Sequence, residues 1–145
     1  MTEKQFDPKM LNALDLAFVG DGVYGLLVRE RLAYGGSRPV GELHRMAVEY
    51  VNAAAQAAAY DCIAPLLTEQ EQAVYRRGRN GGAHPPKNAN AGDYAKATGL
   101  EALFGYLYLS GSIDRCRELF AAIHPPFSAE EEGKTDGTTE SDRNI

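Results

Sequence analysis

Two cysteines in 145 residues, Cys62 and Cys116, are too few and too widely spaced for a disulfide framework or a zinc site. Both fall among apolar neighbours in helix-like segments, so both are expected to be reduced packing residues. No apolar run approaches the roughly 20 residues of a membrane span. The start, MTEKQFDPKML, lacks the basic region, apolar region and cleavage site of a leader peptide. A cytoplasmic protein with no membrane association is the expectation. Alternating strand patterns are missing too, which leaves helix as the building material.

What is present fits one compact unit. A chain of this length with 44% hydrophobic residues can bury a sizeable core in a single domain. The net charge of −5 argues at first against a nucleic-acid partner, but the charge is unevenly spread. Residues 128–145 hold six acids and two bases, so this tail carries −4 of the total and leaves residues 1–127 at −1. Within that body, Arg76, Arg77, Arg79, Lys87 and Lys96 against Asp93 make a local +4. A folded domain over 1–127 and a disordered acidic tail over 128–145 are expected.

Helix signals then divide the body. Asp7-Pro8 resembles an N-cap followed by proline at the first helical position, and opens a helix to about Phe18. A second helix is expected from Gly20-Asp21 to the glycines at 35 and 36, and a long alanine-rich third follows Pro39 for about 20 residues. Thr68 and Glu71 match a capping box, which predicts a helix to about Arg77. Residues 78–93, rich in glycine, proline and asparagine, read as a long loop, and loops above roughly 12 residues in a compact domain are commonly functional or disordered. Helices over Tyr94 to Leu109 and after Ser112 complete an all-α domain of six or seven helices.

Two acids stand out. Asp21 sits between Gly20 and Gly22, with Gly25 one turn on, and Glu101 adjoins the stripe Leu100, Leu103, Phe104 and Leu107, with Gly105 one turn on. Small neighbours either leave a carboxylate accessible or let another helix approach closely. A carboxylate buried alone costs several kcal/mol, so each needs a partner. Asp21 as a helix N-cap and Glu101 paired with Arg29 or Arg115 are the local alternatives. Against them stands the combination of oxygen ligands for a hard metal with a loop carrying Arg76, Arg77, Arg79, Asn80, Lys87 and Asn88, all phosphate donors. That combination suggests phosphodiester chemistry.

The blocks LDLAFVGDGVYGLLVRERL and KATGLEALFGYLYL resemble the two acidic helices of the ribonuclease III catalytic domain. Together with LHRMAVEYVNAAAQA, VYRRGRN and PPKNANAGDYAKATGLEALFGYLYL they resemble its short branch, Mini-ribonuclease III, over residues 11–123. The resemblance implies a helical-bundle homodimer that cleaves double-stranded RNA with Mg²⁺ to 5′-phosphate and 3′-hydroxyl ends, with the large-subunit ribosomal RNA precursor as substrate. The motif acids carry over to Asp21 and Glu101. These two are expected to hold the metal directly or through water, with Thr98 hydrogen-bonding a coordinated water. Further acids of the larger relatives fall at Leu14, Ala17 and Thr98, which bear no carboxylate here, and Asp15 faces away from Asp21 on a helix. A chain of this length is expected to lack the larger enzymes' separate RNA-binding domain, so the basic loop, with His44 and Arg45, is expected to grip the duplex by its backbone. A helical RNA-binding or ribosome-assembly module without catalysis is the alternative.

Overall fold

The computed structural model describes residues 6–126; the expected boundary at 127/128 and the acidic tail lie outside them. Six α-helices form the described part: α1 (Ala13–Tyr34), α2 (Val40–Val51), α3 (Ala53–Ile63), α4 (Glu69–Arg79), α5 (Ala91–Leu109) and α6 (Ile113–Ile123). No strand occurs among the described residues, as the missing alternation predicts. None of the helices is long and apolar enough to cross a membrane.

The first expected pair of helices is one helix. Asp7 does act as a cap, accepting from the Lys9 amide at 3.0 Å, but only for the single 3-10 turn Pro8–Met10. Asn12 then caps α1 by accepting from the Leu14 amide at 2.8 Å, and the helix runs unbroken through Gly20 and Asp21 to Tyr34. Asp21 is therefore not an N-cap. Glycine in a helix interior costs about 1 kcal/mol relative to alanine, which is why Gly20 resembles a helix start. Packing supplies the reason to keep it. A Cβ at Gly20 would overlap the Glu101 carbonyl oxygen, and one at Gly105 would overlap that of Leu16, so α1 and α5 lie backbone against backbone.

α5 is the central helix, in contact with α1, α3, α4 and α6. Leu100, Leu103 and Phe104 on it are fully buried, and Tyr24 of α1 meets Phe104 and Phe120 edge to face at 5.2 and 5.4 Å. Cys116 lies in this core, whereas Cys62 is exposed. α3 turns Ala59 and Ile63 inward, and Cys62 sits beside that stripe, not on it, so its expected packing role does not hold.

The long alanine-rich helix is broken at Asn52, whose backbone is extended (φ −66°, ψ 158°). Its side chain explains the break: Oδ1 accepts from the Ala55 amide at 2.8 Å and caps α3, while Nδ2 donates to the Val48 carbonyl at 3.0 Å and closes α2. The capping box forms as read, with the Glu71 amide 3.1 Å from Thr68 Oγ1 and the Thr68 amide 2.9 Å from Glu71 Oε1. Glu71 is nevertheless buried, and Arg115 of α6 grips it in two places, at 2.9 and 2.8 Å. This pairing holds the Glu71 carboxyl below its ordinary range.

The loop is shorter than expected. α4 continues through Gly78 and Arg79, and α5 begins at Ala91 under an Asn90 cap that accepts from the Asp93 amide at 2.9 Å. Gly78 and Gly99 again permit close approach, since a Cβ on the first would crowd Ala102 and one on the second the ring of Tyr75. The loop proper is residues 80–90, and the three arginines read as loop donors belong to the last turn of α4.

Candidate active site

The backbone contact between α1 and α5 decides where the two acids go. Asp21 follows Gly20, and Gly20 lies against the carbonyl of Glu101, so both carboxyl groups enter one cleft of about 520 Å³. The same cleft is lined by Leu14, Ala17 and Phe18 of α1, Gln56 of α3, Ala83 and His84 of the loop, and Tyr94, Ala97 and Thr98 of α5. Residues eighty positions apart thus face one another because two glycines let their helices touch.

Their electrostatics follow from this placement. Glu101 is largely buried, and its pKa is pushed up to about 8 from an ordinary 4.5, first by burial and then by the hydrogen bond and charge of Asp21. Gln56 opposes the shift, lying close enough to favour the ionised form, although its Nε2 meets no acceptor within hydrogen-bond geometry. Neither carboxylate forms an ion pair among the described residues. The two arginines that sequence reading offered to Glu101 are engaged elsewhere: Arg115 on Glu71, and Arg29 on the carbonyl of Gly25 at 3.1 Å. Asp21 and Glu101 therefore form an acidic pair without a cation among the described residues.

The expected ligand Thr98 is 5% exposed and donates its Oγ1 hydrogen to the Tyr94 carbonyl at 2.9 Å. Its remaining capacity is as an acceptor. Leu14 and Ala17 line the cleft in apolar form, and no group of three or more His, Cys, Asp or Glu side chains that could hold a metal occurs among the described residues. Sequence reading missed Gln56 and His84. His84 carries only the weak signal of lying in the functional loop, and Gln56, inside an alanine run, carries none.

The basic residues are elsewhere. Arg76, Arg77 and Asn80, with Ala13 and Ala73, line a separate cavity of about 460 Å³. Arg77 is structural, its guanidinium donating to the carbonyls of Leu11 and Lys9 at 2.8 and 3.4 Å and tying down the segment before α1. Arg79 donates to Asn80 Oδ1 at 3.2 Å and stands 5.8 Å from the ring centre of Tyr75. Lys87 and Asn88 are exposed on the loop, with Asn88 in the left-handed conformation (φ 72°). His44 and Arg45 are exposed on α2. None of these eight residues lines the acidic cleft; from the loop, Ala83 and His84 do.

A family model described as Ribonuclease III domain matches residues 14–112, the span that holds both acids. The chain belongs to the ribonuclease III family. It is 50% identical over 117 residues to Mini-ribonuclease 3 of Symbiobacterium thermophilum, covering 80% of this chain and 90% of that protein. With Mini-ribonuclease 3 of Desulfitobacterium hafniense it shares 44% over 129 residues, covering 89% and 82%. The crystal structure of protein FN1578 from Fusobacterium nucleatum superposes with a TM-score of 0.73 at 24% identity, over 87% of this chain and all of that one, and supports the fold. Membership makes this a double-strand-specific endoribonuclease, a phosphodiester hydrolase that binds RNA.

Proposed function

We propose that this ribonuclease III domain cleaves double-stranded RNA by means of Mg²⁺ held by Asp21 and Glu101, leaving 5′-phosphate and 3′-hydroxyl ends. The observation that carries the reading is the meeting of two carboxyl groups in one cleft with no cation between them among the described residues. The donor set fits the ion. Mg²⁺ prefers hard oxygen ligands, keeps several waters and needs only one or two carboxylates, and a site that raises the proton affinity of Glu101 so far is short of positive charge. When bound, the cation supplies a water of lowered pKa and neutralises charge on the phosphate oxygens.

The chain's own groups do the rest. Asp21 and Glu101 would hold the ion, directly or through water, and Thr98 Oγ1, its hydrogen already given to Tyr94, would be free to accept from a water bound there. No histidine base is required. Arg76, Arg79, Asn80, Lys87 and Asn88, with His44 and Arg45 on α2, offer donors to RNA phosphates and 2′-hydroxyls; Arg77 acts in this grip by holding its neighbours in place. Phe18 and Leu26 stand exposed two helical turns apart on α1, an apolar stripe that favours a homodimer, in which two clefts cut opposite strands with a stagger. Residues 1–127 are the catalytic unit in this reading, the tail 128–145 an acidic appendage, the cell compartment the cytoplasm and the substrate the large-subunit ribosomal RNA precursor.

Purified protein incubated with long double-stranded RNA, with Mg²⁺ and with EDTA, tests the reading. Cleavage only with Mg²⁺, with phosphate mapped to the 5′ ends, is expected. A shift of the duplex in a gel without cleavage in Mg²⁺ would instead mark a binding or ribosome-assembly module.

A further inference from the structure

Gln56 is the buried polar residue of the cleft that the catalytic reading leaves unused. Its side chain is 2% exposed and its Nε2 is buried without a hydrogen-bond partner. A buried donor left unpaired destabilises the fold, so its presence calls for a reason. The surrounding α3 sequence, Ala53-Ala54-Ala55-Gln56-Ala57-Ala58-Ala59, would form a stable helix with an apolar residue in its place, so neither helix propensity nor packing explains the amide.

The site explains it. Gln56 lines the same cleft as Asp21 and Glu101 and lies close enough to Glu101 to favour its charged form. Its place is set by Asn52, whose side chain caps α3 one turn earlier. Other groups of the cleft are less suited: the Thr98 hydrogen is committed to Tyr94, Leu14 and Ala17 are apolar, and His84 is exposed on the loop. A carboxylate accepts on both oxygens, so Glu101 can turn one to a cation and keep the other for a protein donor.

We propose that Gln56 is a positioning residue, whose Nε2–H is taken up by the Glu101 carboxylate when that group turns from Asp21 to a divalent cation. The inference rests on the assignment of the cation to Asp21 and Glu101. In the cation-free protein the Asp21–Glu101 contact leaves the amide orphaned; in the loaded protein the amide fixes the carboxylate's orientation. Supporting hydrogen bonds of this kind typically change metal affinity 10–100-fold.

Thermal unfolding of the full chain against MgCl₂ concentration tests the proposal without relying on cleavage, because a ligand of the folded state stabilises it by RT ln(1 + [L]/Kd), so the melting-temperature curve yields the dissociation constant. For the native sequence a rise that sets in near that constant and then grows with the logarithm of MgCl₂ concentration is expected, and Asp21→Asn should abolish it. No rise, or an equal rise in Asp21→Asn, refutes the cation assignment. Gln56→Met keeps the side chain's shape and removes the donor. Its expected signature is a cation-free melting temperature equal to or above that of the native sequence, with the MgCl₂ dissociation constant raised about tenfold or more. Gln56→Asn, whose amide is too short to reach, should show the same shift and serves if the methionine variant does not fold. A native dissociation constant in either folded variant overturns the role of Gln56; if duplex binding in EDTA is weaker as well, the amide belongs to the RNA backbone instead.

Discussion

Replacing Glu101 by glutamine should make the cation-free protein more stable at neutral pH while abolishing cleavage. The folded-state pKa of Glu101 is about 8 against an ordinary 4.5, so over that interval the folded protein keeps a proton that the unfolded chain releases. Its contribution to stability is fully present below pH 4.5 and is lost as the pH rises to about 8. At roughly 1.4 kcal/mol for each tenfold change in proton activity, the loss reaches about 3 kcal/mol by pH 7. Glutamine resembles the protonated carboxyl in shape and never ionises, so Glu101→Gln escapes the loss. Urea unfolding of both proteins in EDTA at pH 5, 7 and 8.5 reads the effect directly. The stability difference should be small at pH 5 and grow in favour of the variant by about 3 kcal/mol at pH 7. A difference independent of pH would refute the claim that burial and Asp21 together destabilise this carboxylate. Cleavage retained by the variant would remove Glu101 from the chemistry.

Two more substitutions probe the architecture and the RNA grip. Gly20→Ala places a methyl group against the Glu101 carbonyl and should cost roughly 3 kcal/mol or more, with a matching fall in melting temperature; an unchanged melting temperature would mean that α1 and α5 do not lie backbone to backbone. Arg76→Ala combined with Arg79→Ala, leaving Arg77 to hold the segment before α1, should weaken duplex binding. It should also flatten the logarithmic salt dependence by roughly one for each RNA phosphate that the arginines no longer neutralise. A native slope would move the RNA surface away from α4.

Signals carried within one turn of chain were legible in the sequence. The Thr68–Glu71 capping box, the polar segment between α4 and α5 and the buried stripe of Leu100, Leu103, Phe104 and Leu107 depend on neighbours three or four residues apart, where spacing alone dictates who meets whom. The glycine beside each acid was legible as well, as permission for a close helix contact. It was ambiguous, because the same glycine costs helix stability: Gly20 resembled a helix start and is the interior of α1. Asn52 failed in the opposite sense, since the alanine run that follows it concealed a residue that ends one helix and caps the next.

Tertiary packing decided what local spacing could not. Arg115 belongs to Glu71 and not to Glu101 because α6 lays it across the start of α4, a relation between residues 44 positions apart. Cys62 is exposed and Gln56 buried although both stand in alanine-rich helix, because burial depends on which face another helix covers. By itself, then, the amino-acid sequence determined an all-helical chain, its acids Asp21 and Glu101 and its concentration of basic residues, all of which follow from residue type and short-range periodicity. The apposition of the two acids, the denial of any arginine to them and the inward turn of Gln56 came only with the close contact of α1 and α5, because a carboxylate's environment is set by atoms in space and not by neighbours in sequence.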